Sequence, residues 1–232
     1  MTKLGIVCGL AFEAAILEHA VQQAALANAP LIVCSGPGPD RARAGALNLT
    51  TQGAEALLSF GLAGGLDPEL RTGTVITAES ITGPEILSCD AAWVTRMTES
   101  LATDFIVRRA VLAASEDVLS TAEDKAALFR SSGAMAVDME SYGVAAAATE
   151  KGIPFAALRV ICDTAQETIP PAASAAMTWE GRIRVTSTVF KALTYPAQIP
   201  DLVRLGRRTA AAKRVLENLA GLGVLGLFRA FG

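Results

Sequence analysis

The amino-acid sequence predicts an α/β protein: a single domain in which helices flank a central mixed β-sheet. Three observations predict it. Short apolar runs of strand length alternate with longer stretches of helical spacing, and short links join them, the pattern of a largely parallel or mixed sheet covered on both faces. The chain has 232 residues, enough for one large α/β domain and scarcely for two, and 51% of them are hydrophobic, so a sizeable core is available. No internal repeat, low-complexity linker or domain boundary divides it. Residues 1–232 therefore read as one domain, with 196–232 a basic, apolar tail.

The elements follow in order. Leu4–Gly9 is an apolar run closed by glycine, a buried first strand. Phe12–Ala27 is Ala-rich with helical spacing. Leu31–Ser35 is a second strand, ended by Gly36-Pro37-Gly38-Pro39, and Asp40 is placed to cap a helix over Arg41–Gln52. Ala56–Phe60 is a third strand running into Gly61-Leu62-Ala63-Gly64-Gly65. Leu66-Asp67-Pro68 turns the chain, and Gly73–Ala78 is β-rich. Ala91–Leu101 looks helical, Ala110–Ala114 and Asp117–Leu119 are short strand candidates, and Ala122–Phe129 is a helix. Ala136–Ala165 then reads strand, helix, strand. Ala172–Leu193 is mostly helical, and Tyr195–Pro200 breaks the pattern before the tail, where Gly221, Gly223 and Gly226 weaken a regular helix.

Composition narrows the functions. A formal charge of −3 gives no basic signal for nucleic acid. Cys8, Cys34, Cys89 and Cys162 show no CxxC spacing, and three lie in or beside apolar runs, as buried thiols do. The N-terminus meets Glu13 too early for a signal peptide, and no apolar segment is long enough to span a bilayer, so a cytoplasmic protein is expected. His19, the sole histidine, falls within the first helix, so Ser-His-Asp chemistry and His-based metal sites are poorly supported. No metal or organic cofactor is implied.

Acids at strand ends carry the chemical signal. Glu13 follows the first strand, Glu140 follows Met139 where a strand gives way to a helix, and Asp163 follows Arg159-Val160-Ile161-Cys162. One such acid is usually a cap or a solvated residue; three are a pattern, at the place where α/β sheets keep their sites. Cleavage of an N-glycosidic bond needs such a set: an acid for the leaving base, a carboxylate for the sugar hydroxyls, and a third group to aim the nucleophile. The glycines after the third strand either form a tight turn or let backbone N–H groups approach a ligand. They match neither GxGxxG nor a P-loop.

Gly61-Leu62-Ala63-Gly64-Gly65, Ala136-Val137-Asp138-Met139-Glu140-Ser141 and Arg159-Val160-Ile161-Cys162-Asp163 resemble, in order, three motifs of the purine nucleoside phosphorylase and methylthioadenosine/adenosylhomocysteine nucleosidase superfamily. The resemblance implies a nucleoside phosphorylase-like fold and an enzyme that frees a purine from its sugar. Met139 would lie under the ribose, and Glu140 would accept from its 2′ and 3′ hydroxyls. Asp163 would protonate purine N7, Glu13 would position an attacking water, and Ala63, Gly64 and Gly65 would approach the sugar and nucleophile pocket. The loop Ser120-Thr121-Ala122-Glu123 would lie near the base. Asp138 stands where the family more often has Glu, and Cys162 where Ser is common. Gly9-Leu10-Ala11-Phe12-Glu13, Asp90-Ala91-Ala92-Trp93, Ala122–Leu128, Ile169-Pro170-Pro171-Ala172 and the basic tail resemble one branch, the hopanoid-associated phosphorylases. That branch implies adenosylhopane as substrate, adenine as product and a place in hopanoid biosynthesis. The family also implies a homo-oligomer.

Phosphorolysis requires a dianion pocket, for which Arg41, Arg43, Ser35 and the Gly64 and Gly65 amides are candidates, with inorganic phosphate as co-substrate. The two arginines fit a solvated helix face equally well. Glu13 favours water, since a carboxylate repels phosphate; the branch and the arginines tilt the balance narrowly to phosphorolysis. A soluble methylthioadenosine/adenosylhomocysteine nucleosidase and a non-catalytic nucleoside-binding module are the alternatives. In the tail, Arg204, Arg207, Arg208, Lys213 and Arg214 among leucines suit either peripheral contact with an anionic membrane or packing on the domain.

Overall fold

A computed structural model describes residues 3–25, 28–170 and 199–226. The elements are β1 (Leu4–Cys8), α1 (Ala11–Ala24), β2 (Leu31–Cys34), α2 (Pro39–Thr51), β3 (Ala56–Gly65), β4 (Val75–Thr82) and β5 (Ile86–Ser88). They continue as α3 (Ala91–Leu101), β6 (Val107–Ala114), α4 (Ala122–Ser132), β7 (Ala136–Asp138), α5 (Ser141–Lys151), β8 (Phe155–Asp163) and α6 (Ile199–Gly226). The α/β architecture, with helices on a mixed sheet, is the one expected. The helix expected over Ala172–Leu193 lies outside the described residues.

The sheet does more than lie flat. β3 pairs in parallel with β1 and β8, β8 runs antiparallel to β4, and β4 is parallel to β6. β6 is parallel to β7, and β7 returns antiparallel to the far end of β3, pairing Gly64 with Val137 and Gly65 with Ala136. Strands β3, β8, β4, β6 and β7 thus close a ring, which buries their edges; β2 extends β1 and β5 extends β4. Closure depends on a long β3. Gly61–Gly65, expected either as a tight turn or as backbone open to a ligand, is the second half of that ten-residue strand. Glycine lacks a side chain to pack but keeps both ladder groups, so the strand continues.

Alternation along β3 and β8 builds the two larger of three hydrophobic clusters. Leu58 and Phe60 of β3, with Leu158 and Val160 of β8, face α1, α3 and α6. Leu57 and Ala63, with Ala157 and Ile161, face α2 and α5. Gly143 lets α2 and α5 approach: a Cβ there would fall 1.9 Å from the Pro39 carbonyl oxygen. All nine residues of β8 are buried.

Helix starts obey local chemistry. Asp90 accepts from Trp93 N (2.7 Å) at the head of α3, and Thr121 accepts from Asp124 N (3.1 Å) at α4. At α2 the expected Asp40 cap is displaced: Gly38 is the capping residue, with φ 110° that favours glycine, and Pro39 opens the helix. Asp117–Leu119 forms no strand; it is the loop that follows β6. α6 continues through Gly221 to Gly226, because Ala212, Leu216, Leu219 and Ala220 are anchored in the core. Packing there outweighs the roughly 1 kcal/mol that each glycine costs a helix. Among the described residues no helix is long and apolar enough to cross a membrane.

Candidate active site

The strand ends deliver the three acids to one place. Glu13, Glu140 and Asp163 all line a cavity of about 560 Å³, together with Met139, Ala63 and Gly64. Gly65, expected to approach the sugar, stays outside: it packs against the Asp163 carbonyl and Ile161.

Glu13 folds back on the start of its own helix. Its Oε2 accepts from Leu10 N (2.9 Å) and its Oε1 from Leu62 N on β3 (2.8 Å). Only 1% of the residue is exposed. Burial raises its pKa, against the lowering influence of the Arg159 guanidinium and the backbone donors.

Arg159, fully buried in β8, is the hub. Its Nε lies 2.5 Å from Asp138 Oδ2, and its Nη2 donates to Ser59 Oγ (2.6 Å) and Ser141 Oγ (3.1 Å). Glu140 Oε2 stands 3.5 Å from Nη2. Asp138 also accepts from Ser141, from its backbone N (3.2 Å) and from its hydroxyl. One guanidinium therefore faces three carboxyl groups, and Asp138 has the closest grip. Glu140 gains less: burial, with Asp138 and Glu13 as like charges and Arg159 opposing, pushes its pKa up to about 8. Desolvation works against charge on Arg159 too, but its three carboxylate neighbours hold its pKa above the ordinary value.

Asp163 sits opposite. Lys125 of α4, itself buried, donates to its Oδ2 and also to the carbonyls of Thr164 (2.9 Å) and Glu167 (2.9 Å). Burial raises the Asp163 pKa, and Lys125 opposes that rise.

Glycines make room for the acids. A Cβ on Gly9 would lie 2.4 Å from Glu140 Oε1, one on Gly61 2.6 Å from both Glu13 Oε1 and Arg159 Nη1, and one on Gly64 3.4 Å from Asp163 Oδ2. The space is filled by the chain's own carboxylates.

Of the candidate phosphate ligands only Gly64 lines this cavity; the side chains of Arg41, Arg43 and Ser35 do not. Arg43 pairs at the surface with Glu150 and borders a separate cavity lined by α2, α4 and α5. Arg41 donates to the Pro37 carbonyl (3.1 Å). Ser35 Oγ is taken up by the carbonyls of Cys8 (3.2 Å) and Gly36 (2.8 Å). Thr121 of the loop expected near the base caps α4; its neighbours Asp117, Val118 and Leu119 reach the cavity instead. His19 is exposed.

Sequence reasoning passed over Arg159 and Lys125 as functional groups. Arg159 had a signal: a lone charge in an apolar strand must be paired, and the Asp138 and Glu140 motif supplies the partners. Lys125 had none, since nothing in a polar helix marks one lysine as buried.

Strand-end carboxylates converging on a cavity are matched by the family comparison, in which residues 3–193 fit the model of the phosphorylase superfamily. The chain belongs to the phosphorylase superfamily. This phosphorylase-superfamily chain is an enzyme of phosphorylase or nucleosidase type. It is similar in fold to a mutant futalosine hydrolase of Helicobacter pylori, at 15% identity over 97% of this chain and 100% of the other, TM-score 0.69. A Campylobacter jejuni 5′-methylthioadenosine/S-adenosylhomocysteine nucleosidase is 19% identical over 83% and 96% of the two chains, TM-score 0.65. An inhibitor-bound 5′-methylthioadenosine/S-adenosylhomocysteine nucleosidase of Helicobacter pylori is 15% identical over 99% and 97%, TM-score 0.68. A sequence comparison with curated proteins finds no match.

Proposed function

We propose that this chain hydrolyses the N-glycosidic bond of an adenine nucleoside that carries a large apolar group at its 5′ position. The observation that carries the reading is one cavity holding Glu13, Glu140 and Asp163, with an apolar wall from Leu202 and Leu205 of α6 and from Phe12 and Ile169. The resemblance to the hopanoid-associated phosphorylases supports adenosylhopane as that nucleoside, in hopanoid biosynthesis. The structural neighbours named as methylthioadenosine/adenosylhomocysteine nucleosidases favour a second reading, a smaller thioether nucleoside.

The chemistry divides among the acids. Glu140 accepts hydrogen bonds from the 2′ and 3′ hydroxyls, and its charge stabilises the ring as the bond to the base stretches. Met139 lies under the sugar. The C1′–N9 electron pair leaves with the purine, and Asp163 puts a proton on N7. A water oxygen bonds to C1′ and gives its proton to Glu13, whose raised pKa suits a general base.

Water is favoured over phosphate because Glu13 repels a dianion and neither Arg41 nor Arg43 lines the cavity. Of the lysines that do, Lys125 is committed to Asp163 and Lys213 pairs loosely with Glu217 (3.8 Å). The test is mass spectrometry of the sugar product from 5′-deoxyadenosine, methylthioadenosine and an adenosyl-lipid, with phosphate supplied and rigorously removed. Equal adenine release in both conditions with a free sugar is expected, and the adenosyl-lipid should give the highest kcat/KM. A sugar 1-phosphate formed only with phosphate overturns hydrolysis. Preference for methylthioadenosine overturns the lipid, and no base release from any substrate leaves a binding module.

A further inference from the structure

We propose that Lys125 is the proton source behind Asp163, a positioning residue that makes this carboxyl a relay rather than an acid that must collect its own proton. The proposal rests on the reading above, in which Asp163 protonates the leaving base.

The placement of Lys125 is costly unless it serves something. It is the fourth residue of α4, near the helix end whose dipole disfavours a cation, and only 1% of it is exposed. Its ammonium has three N–H donors, and three acceptors surround it: Asp163 Oδ2, Thr164 O at 2.9 Å and Glu167 O at 2.9 Å. Whether the pair is ammonium with carboxylate or amine with carboxylic acid, all three contacts are satisfied, and the two groups share one transferable proton across the Nζ–Oδ2 contact.

The remaining charges around Asp163 are already answered. Glu167, in the loop after β8, accepts from Thr164 N (3.0 Å) and pairs with Arg208 of α6 (2.7 Å). β3 faces Asp163 with Gly64, which has no charge. The Cys162 thiol, pushed up to about 11 by burial, stays protonated through the neutral range. Among the described residues Asp163 is the ion-pair partner of Lys125, and both groups line the cavity.

As the C1′–N9 bond breaks and its electron pair moves onto the purine, Asp163 delivers a proton to N7 and takes one from Lys125 Nζ. The step ends with carboxylate beside neutral amine. The amine regains a proton from solvent when the base departs.

The experiment follows kcat against pH with 5′-deoxyadenosine for the wild type, Lys125→Met, Lys125→Arg and Asp163→Asn. The wild type sets the reference profile, in which Glu13 and Glu140, both with raised pKa values, impose any fall toward acid, and each variant is read against it. Lys125→Met should lose about 100-fold at pH 8, the order of a general-acid contribution, and recover by up to about tenfold per pH unit toward acid. Lys125→Arg should be slow at every pH, since a guanidinium does not give up its proton. A purely structural strut predicts the opposite: rescue by Arg, and a Met variant with altered KM or Tm but the wild-type pH profile. That result overturns the relay. Should Lys125→Met fail to fold, Lys125→Arg decides, and a wild-type kcat in that variant overturns the relay. Near wild-type turnover by Asp163→Asn would instead remove the underlying reading of Asp163. An inactive Asp163→Asn beside an indifferent Lys125→Met removes the relay alone.

Discussion

Glu140→Gln should stabilise the empty protein, and by an amount that grows with pH. Glu140 is 7% exposed, its nearest cation is 3.5 Å away and shared with Asp138, and its pKa is held at about 8 against an ordinary 4.5. The sign follows from linkage. A carboxyl with a raised folded-state pKa binds its proton more tightly in the native than in the unfolded chain. Its stabilising contribution is therefore complete below about pH 4.5 and is lost as pH rises to about 8. Over that window the loss reaches ~5 kcal/mol at about 1.4 kcal/mol per pH unit, and ~2–3 kcal/mol if Glu13 takes up part of the proton. The glutamine has the same shape and does not titrate. Urea unfolding of both proteins at pH 5, 7 and 9 should give a stability difference that rises with pH and levels off above 8. A difference independent of pH, or one that shrinks as pH rises, would refute the account of one guanidinium shared among three carboxyl groups. The same account predicts that sugar hydroxyls, which favour the carboxylate, expel a proton on binding below pH 8.

Two further outcomes follow from packing and from the charge of α6. Gly61→Ala should cost about 2–4 kcal/mol in urea unfolding and most of the activity, because its methyl would sit 2.6 Å from two hydrogen-bonded side chains, Glu13 and Arg159. Gly206→Ala, with nothing within 4 Å in an exposed stretch of helix, should be neutral or slightly stabilising; equal losses at the two sites would discount the charge core. If the substrate is a lipid, α6 meets the membrane: Val203 is 47% exposed beside Arg204 and Arg207, next to the cavity wall. Full-length protein should co-sediment with anionic vesicles, and Arg204→Glu with Arg207→Glu should release it at physiological salt. Unchanged sedimentation would remove the membrane contact.

Much of this was legible in the chain, for identifiable reasons. β1, β3 and β8 announce themselves because each is buried on both faces, and such strands are continuous apolar runs. Glu13, Glu140 and Asp163 stand out because an acid at the end of such a run has no packing reason to be there. The length of β3 was hidden, since Gly61–Gly65 carries turn composition, and only the pairing partners β7 and β8 reveal a strand. Lys125 was hidden for a different reason. Its role depends on the Thr164–Glu167 turn closing over it from 39 to 42 residues away, which no local pattern encodes.

The glycines join the legible part to the hidden part. The composition of Gly61–Gly65 suggested a turn or a backbone opened for a ligand, yet Gly9 and Gly61 leave space that Glu140, Glu13 and Arg159 already occupy. Removing side chains from the strands is what allows several charged groups to be buried within hydrogen-bonding reach of one another. Burial then separates their tasks. On one side, three carboxyl groups compete for Arg159, so Glu13 and Glu140 keep raised pKa values and can exchange protons or respond to sugar hydroxyls. On the other, Asp163 has a cation of its own in Lys125. A water-activating base must be free of its proton while the leaving base must receive one: Arg159 and the Leu10 and Leu62 N–H groups favour the Glu13 carboxylate, and on the other side the proton is shared between Asp163 and Lys125 within the same cavity.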